Sequence, residues 1–278
     1  MADYYSIIDR YNNATKKISD YYEGMRVGEI WGFVCNGLFQ NWDEINAAFD
    51  GLGYKNTYAK VSDDYRVEPG HMKIEDLNHN HTIDTGSNTV DDPGDRRIIG
   101  NSEPRYIYSF NLNASWNGIY VSAFLQGVGK QDWYPGNECP FWGQYNRPYN
   151  YAFKWMIGNY WTPTNPDAYL PLYTAYNDML RKQANTRYLQ NAAYVRLKNV
   201  QIGYNLPKKW LKKMNLSGMN IYFSGENLWT WSPVYKWTKD FDILTLTKNS
   251  DTDISDSKGT GYNYPTMKTF SFGITITY

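Results

Sequence analysis

Cysteine is nearly absent from this sequence. Cys35 and Cys139 are the only two, which excludes a disulfide-stapled scaffold, and no C-x-x-C pair suggests zinc. Net charge is missing as well: 28 basic residues balance 28 acidic ones, so no global field draws the chain to nucleic acid or to anionic lipid. No run approaches the roughly 20 consecutive apolar residues of a spanning helix, and mean hydropathy is −0.67. The opening MADYYSIIDR has neither a basic n-region nor an apolar h-region, so no signal peptide is read there. Nothing fits G-x-S-x-G, a phosphate loop or H-E-x-x-H. Taken alone, these absences describe a soluble cytoplasmic protein of one large domain or two small ones.

What is abundant points elsewhere. Aromatic residues make up 18 % of the chain, with 27 tyrosines supplying most of them. Tyr and Trp are amphipathic, so the excess suggests interfaces: a carbohydrate surface, a membrane belt, or both. The clearest pattern is YIYSFNLNASWNGIYVSAFLQG, residues 106–127. Tyr106, Tyr108, Phe110, Leu112, Ala114 and Trp116 alternate with mostly polar residues, the period of a strand with one apolar face. Asn117-Gly118 tolerates the positive φ of a type I′ hairpin turn, after which Ile119, Val121, Ala123 and Leu125 continue the apolar face. Each arm is about ten residues long, enough to cross a bilayer as a tilted strand.

YVRLKNVQIGYNLP (194–207) is apolar at Val195 and Leu197, then changes phase to Val200, Ile202, Tyr204 and Leu206. That slip around Lys198-Asn199 predicts a bulge, or an upper part lying outside the membrane. After a short basic connection, MNIYFSGENLW (219–229) sets Met219, Ile221 and Phe223 against Asn220, Tyr222, Ser224 and Glu226. The terminal TFSFGITITY puts Phe270, Phe272, Ile274, Ile276 and Tyr278 on one side. A further strand is expected within GEIWGFVCNGLFQ (28–40). Short joints alternate with long ones at about 41–104, 128–193 and 230–265, as in an antiparallel up-and-down transmembrane β-barrel with short periplasmic turns and long extracellular loops. A soluble antiparallel sandwich shares these features, and periodicity alone leaves both open.

Six stretches, in order and across most of the chain, resemble the C-terminal third of the SusC/RagA family of TonB-linked outer-membrane transporters. They are YYEGMRVGEIWGFVCNGLFQ (21–40), IEDLNHNHTID (74–84), residues 95–132, YVRLKNVQIGYNLPKKWLKK (194–213), IYFSGENLWTWS (221–232) and YPTMKTFSFGITITY (264–278). The resemblance implies an all-β fold in which residues 1–278 form the C-terminal segment of a barrel of about 22 strands, with the plug and earlier strands outside this chain. It implies import of oligosaccharides or peptides, with a SusD-like surface lipoprotein capping the mouth and the TonB complex acting through the N-terminal plug. It places the protein in the outer membrane of a Gram-negative, Bacteroidetes-type cell. Phe270, Phe272, Ile274, Ile276 and Tyr278 then resemble the terminal-strand signal read by the outer-membrane assembly machinery. About six strands are fewer than the eight or so of a small closed barrel, so the chain is expected to be part of a longer polypeptide. The rival expectation is a soluble or surface-exposed glycan-binding β-domain without transport.

Two stretches carry candidate sites. DLNHNHTID resembles an EF-hand-type calcium loop: Asp76, Asn78 and Asn80 at positions one, three and five, the Thr82 carbonyl at seven, Asp84 at nine. His81 replaces the glycine of position six, Ser87 stands where the bidentate Glu would be, and Asp91, Asp92 or Asp95 could substitute. The alternative is an Asx-turn loop bonded to its own backbone. His71, His79 and His81 offer softer zinc or nickel ligands nearby. No cofactor is required. In residues 128–165, Trp133, Trp142, Tyr145 and Trp155 are the rings expected to meet sugar faces, with Asn137, Glu138, Gln144 and Asn146 for hydroxyls; the alternative is that these rings pack on one another. Nothing in the sequence pairs Glu226, Asp240 and Asp242 into a hydrolytic site, so no catalytic residue and no enzymatic activity are expected.

Overall fold

The structure is a computed structural model that describes residues 13–48, 67–136, 139–145, 147, 149, 151–175, 183–239, 242–246 and 266–278. Its strands are β1 (Glu29–Phe33), β2 (Cys35–Leu38), β3 (Met72–Ile74), β4 (Arg96–Asn101), β5 (Arg105–Trp116), β6 (Ile119–Lys130), β7 (Asp132–Trp133), β8 (Gln190–Asn191), β9 (Tyr194–Asn205), β10 (Gly218–Trp231) and β11 (Thr269–Thr277). Two short α-helices are described, α1 (Trp42–Ala48) and α2 (Lys208–Lys213). The chain divides into two compact units, one of residues 1–103, 132–190 and 245–263, the other of 104–131, 191–244 and 264–278.

The second unit is built on a five-stranded antiparallel sheet in the order β11-β10-β9-β6-β5. Neighbours in the sheet follow one another along the chain, apart from the excursion between β6 and β9. Short joints, Asn117-Gly118 and the turn bearing α2, lie at one end; the long connections leave from the other. Asn117 and Gly118 have φ of 48° and 87°, the left-handed pair that the two-residue hairpin requires.

The expected bulge is present. Phe124 pairs with Asn199 and Leu125 with Leu197, so β9 holds one residue more than β6 at Lys198-Asn199. β10 in turn holds one more than β9 between Glu226 and Trp229, with Asn227 at φ 53°. The two insertions restore the phase. Leu197 and Val195 lie on the same face as Leu125 and Gly127, and Trp229 and Trp231 pair with them.

The stretch at 28–40 is extended, as expected, but it does not join the large sheet. It breaks at Val34 into β1, which pairs with β4, and β2, which pairs with β3. Phe33, Val34, Leu38 and Phe39 are buried, so its apolar residues feed a core. That core belongs to the first unit and includes Phe33, Phe39, Met72, Ile83, Phe141, Trp142, Tyr145 and Tyr188. Two of the segments read as long loops, 41–104 and 128–193, therefore contribute to a packed body. Both cysteines are free thiols, Cys139 buried and Cys35 partly so.

Candidate functional site

The apolar face of the large sheet is continuous across all five strands. Phe110 pairs with Leu125, Leu112 with Ala123, Val121 with Ile202, Ile202 with Phe223 and Phe223 with Phe272. It is not sealed beneath other residues: Phe110, Leu112, Trp116, Phe270, Phe272, Ile274 and Ile276 are each more than half exposed. Water would make such an expanse of grease unfavourable at about 25 cal/mol per Å², and patches on soluble monomers rarely exceed a few hundred Å². Aromatic residues flank it at both ends. Trp116, Tyr204 and Tyr278 stand toward the short turns, and Tyr108, Trp229 and Trp231 toward the long connections. An apolar band between two aromatic girdles is the surface that a membrane β-barrel turns to lipid.

The opposite face is polar, with Ser109, Asn111, Asn113, Ser122, Gln201, Asn220, Ser224, Glu226 and Thr275 among its residues. Glu226 is exposed there. Toward the long-connection end of that face, Arg196 is buried and donates through Nε to Thr230 Oγ1 at 2.8 Å. Its Nη2 bonds the Asp242 carboxylate. Asp242 also accepts the backbone N–H groups of Thr266 at 2.8 Å and Leu244 at 3.1 Å. Burial raises the Asp242 carboxyl, but these hydrogen bonds and the arginine charge outweigh it and leave the group below its ordinary range. A pocket of about 320 Å³ opens here, lined in part by Arg196, Trp229, Tyr235, Lys239, Asp242 and Lys268. Nothing in the local sequence announced this pair, since its members are 46 residues apart; the available hint was a lone arginine on the polar face of a strand. Asp240 lies outside the described residues.

In the first unit, the 76–84 loop turns through two left-handed residues. His79 and His81 take φ of 58° and 59°, so His81 adopts the left-handed conformation that glycine usually supplies at position six. Asp76 accepts the amides of Asn80 (3.3 Å) and His81 (2.8 Å), and Asn80 Oδ1 accepts that of Thr82 (2.8 Å). Of the three candidate substitutes, Asp95 turns into the loop, accepting the amides of Leu77 (2.9 Å) and Asp84 (2.8 Å). Burial first, and then the nearby Asp76 charge, raise its carboxyl. Among the described residues no three His, Cys, Asp or Glu side chains gather closely enough to hold an ion by themselves; Asn78, Asn80 and the Thr82 carbonyl would have to complete a site. His71 is buried, its Nδ1 accepting the Glu68 amide at 3.2 Å, whereas His79 and His81 are exposed.

The rings of 128–165 are mostly packed together. Phe141 meets Trp142 edge-on at 5.0 Å and Trp155 at 5.1 Å, and Trp142 meets Tyr188 at 5.8 Å. Trp142 Nε1 donates to the Pro135 carbonyl (3.0 Å) and the Tyr145 hydroxyl to that of Pro171 (2.9 Å). Trp142 and Tyr145 have no exposed surface, so the expectation that they meet sugar is corrected: they offer a ligand no ring face. Trp133 is buried and Trp155 half-buried. Tyr149 and Tyr151 are the exposed rings of this segment among the described residues. Gln144 accepts the Tyr173 hydroxyl at 2.7 Å; Asn137, Glu138 and Asn146 lie outside the described residues.

The five-stranded sheet is thus a section of barrel wall, antiparallel and meandering, and not closed among the described residues. Comparison with known proteins agrees. The chain is 28 % identical over 270 residues to TonB-dependent receptor P3 of Formosa agariphila, covering 91 % of this chain and 22 % of that protein. It is 25 % identical over 195 residues to TonB-dependent receptor P26 of the same organism, covering 66 % and 18 % respectively. Among solved structures, the RagAB peptide importer in its open-open state matches the whole chain with a TM-score of 0.53, 17 % identity and 24 % of its own chain covered. A structure of the RagAB peptide transporter matches likewise, at 0.53, 18 % and 25 %. No family model matches. The relatives and the shared fold bear out the resemblance to SusC/RagA-type, TonB-linked transporters, and the chain spans less than a quarter of the curated relatives' length.

Proposed function

We propose that this chain forms part of the wall of an outer-membrane, TonB-dependent transporter that imports oligomeric nutrients, oligosaccharides or peptides, with a SusD-like lipoprotein as partner. The observation that carries the reading is the exposed apolar face with its two aromatic girdles, backed on the same strands by a polar face. Apolar side chains meet acyl tails and the Asn, Ser and Gln side chains line a watery lumen. Coupling to TonB would run through a plug elsewhere in the polypeptide, and β11 would serve the assembly machinery. The relatives are receptors and the structural neighbour is a peptide importer, which supports import and leaves the two substrate classes to experiment.

The test is expression of the full-length gene in a Gram-negative host. Recovery in the outer membrane, a heat-modifiable gel band in detergent and binding of oligosaccharide or peptide to the purified receptor are expected. A monomer soluble in plain buffer that binds glycan would instead establish the soluble β-domain. We also propose that the 76–84 loop takes a calcium-type cation, on the strength of its left-handed backbone at His79 and His81 and the Asp76–Asp95 juxtaposition.

A further inference from the structure

The polar face holds a row that neither transport nor the lipid-facing surface explains. At one level across the sheet, Tyr120 of β6 pairs with Gly203 of β9, Gly203 with Tyr222 of β10, and Tyr222 with Gly273 of β11. Tyrosine and glycine alternate, and each tyrosine ring lies over the glycine that follows it. A Cβ at Gly203 would fall 2.3 Å from Tyr120 Cζ, and one at Gly273 would fall 2.3 Å from Tyr222 Cζ. Each ring occupies the space that any other side chain would need. The apolar face repeats the device once, where Tyr108 of β5 covers Gly127 of β6, a Cβ there falling 2.4 Å from Tyr108 Cζ.

In the two inner cases the hydroxyl is caught by the strand beyond the glycine's own. Tyr108 reaches over β6 to donate to the Tyr194 carbonyl of β9 at 3.3 Å. Tyr120 reaches over β9 to donate to Asn220 Oδ1 of β10 at 3.2 Å, and accepts from Gln201 Nε2 at 3.3 Å. Tyr222 is the outermost case. Its ring covers Gly273 of β11, the last strand of the sheet, and among the described residues its hydroxyl has no hydrogen-bond partner.

We propose that Tyr222 fixes the register of a further strand laid against the open edge of β11, by donating its hydroxyl hydrogen to an acceptor on that strand's polar face. The occupant is a strand of the longer polypeptide, since TonB-dependent receptor P3 is covered over only 22 % of its length and both faces of β11 continue those of the sheet. Its chemistry follows from the inner example. Asn220 stands two residues from Tyr222, the partner of Gly203; the incoming strand carries an Asn, Gln, Asp, Glu, Ser or Thr two residues from the partner of Gly273. Its apolar residues fall on the side of Phe272 and Ile274.

The physical role is to resolve an ambiguity that alternation leaves. A slip of one residue exchanges the two faces and is excluded by burial, but a slip of two preserves them. Gly273 is the sole glycine of β11. Moving β11 by two against β10 would drive the Cβ of Ser271 or Thr275 into the Tyr222 ring. Moving the incoming strand by two would carry its acceptor away from the hydroxyl.

This inference rests on the barrel-wall reading above, and the test separates the two. In the full-length receptor in detergent, the midpoint of the heat-modifiable band is compared for Tyr120→Phe and Tyr222→Phe. Both are expected to shift downward by similar amounts, because both lose a hydroxyl bond to the second strand over. A Tyr222→Phe midpoint equal to that of the parent, beside a lowered Tyr120→Phe midpoint, overturns the proposal. As a second measure, Gly273→Ala should lower the midpoint in the parent and not in a Tyr222→Ala background; a loss in both would show that the ring does not dictate the glycine. A full-length protein without any heat-modifiable band sinks the barrel reading itself, before the variants are compared.

Discussion

Arg196 and Asp242 form an ion pair in which the two side chains are only 4 % and 6 % exposed. Removing one partner of such a pair leaves an uncompensated buried charge, at a cost of about 3–5 kcal/mol. Asp242→Ala should therefore release the connection that carries Asp242, seen as faster amide exchange at Leu244 and Thr266 in the full-length receptor, with Asp242→Asn losing less. The same pair sets an acid limit. Its carboxyl is held below the ordinary range, so the stabilisation is fully present above the unfolded value of about 3.9 and is lost as pH falls through the lower folded value. Exchange at these two amides should accelerate only below about pH 4; acceleration beginning near neutrality would show that another group governs the contact.

The Tyr145 hydroxyl donates to the Pro171 carbonyl at 2.9 Å in the core of the first unit. Tyr145→Phe leaves that carbonyl buried without its donor and should cost about 1–3 kcal/mol; Trp142→Ala opens a cavity and should cost about 3–5 kcal/mol. Tyr149→Ala and Tyr151→Ala remove exposed rings and should leave the thermal midpoint of the receptor unchanged. If sugar or peptide meets aromatic residues of this segment, affinity falls in the second pair of variants without a loss of stability.

The two kinds of residue differed sharply in how legible they were. The five strands could be read because β5, β6 and β11 keep period two along their whole length, β9 and β10 keep it on either side of a bulge, and Asn117-Gly118 marks its own turn. Even the bulge was visible, since Leu197 and Val200 cannot share a face without an insertion between them. The 28–40 stretch is legible as strand but not as to its sheet, because a short apolar run looks alike whether it faces lipid or a protein core. Trp142 and Tyr145 are ambiguous in the sequence for a related reason. An aromatic-rich segment with no period does not reveal whether its rings meet a sugar or one another. Arg196–Asp242 could not be found at all, because pairing across 46 residues leaves no local trace.

Calcium binding at the 76–84 loop makes a linkage prediction. A ligand that binds only the folded state stabilises it by about 2.7 kcal/mol at a hundredfold excess over its dissociation constant. Adding calcium to chelator-treated full-length receptor should raise the thermal midpoint, and Asp76→Ala should abolish the rise. Sites of this oxygen-rich kind reach dissociation constants of about 10⁻³ M at their weakest, so the absence of any shift at several times that concentration would leave the loop as a set of Asx turns.

The decisive measurement compares two adjacent residues of β5. Leu112 lies on the apolar face, opposite Ala123, and Asn111 on the polar face, opposite Phe124. In a lipid-facing wall, Leu112→Arg places a charge in hydrocarbon midway between Tyr108 and Trp116, at a cost of about 2–4 kcal/mol. Ile119→Arg sits beside the Trp116 girdle, where the cost falls to about 0–1 kcal/mol, and Asn111→Arg extends into water. Assembly of the full-length receptor into a heat-modifiable band should therefore fail most at Leu112, less at Ile119 and least at Asn111. Asn111 and Leu112 are both exposed among the described residues, so without a membrane an arginine at either residue would reach water at little cost. Equal tolerance at Leu112 and Asn111 would mean that the apolar face does not meet lipid.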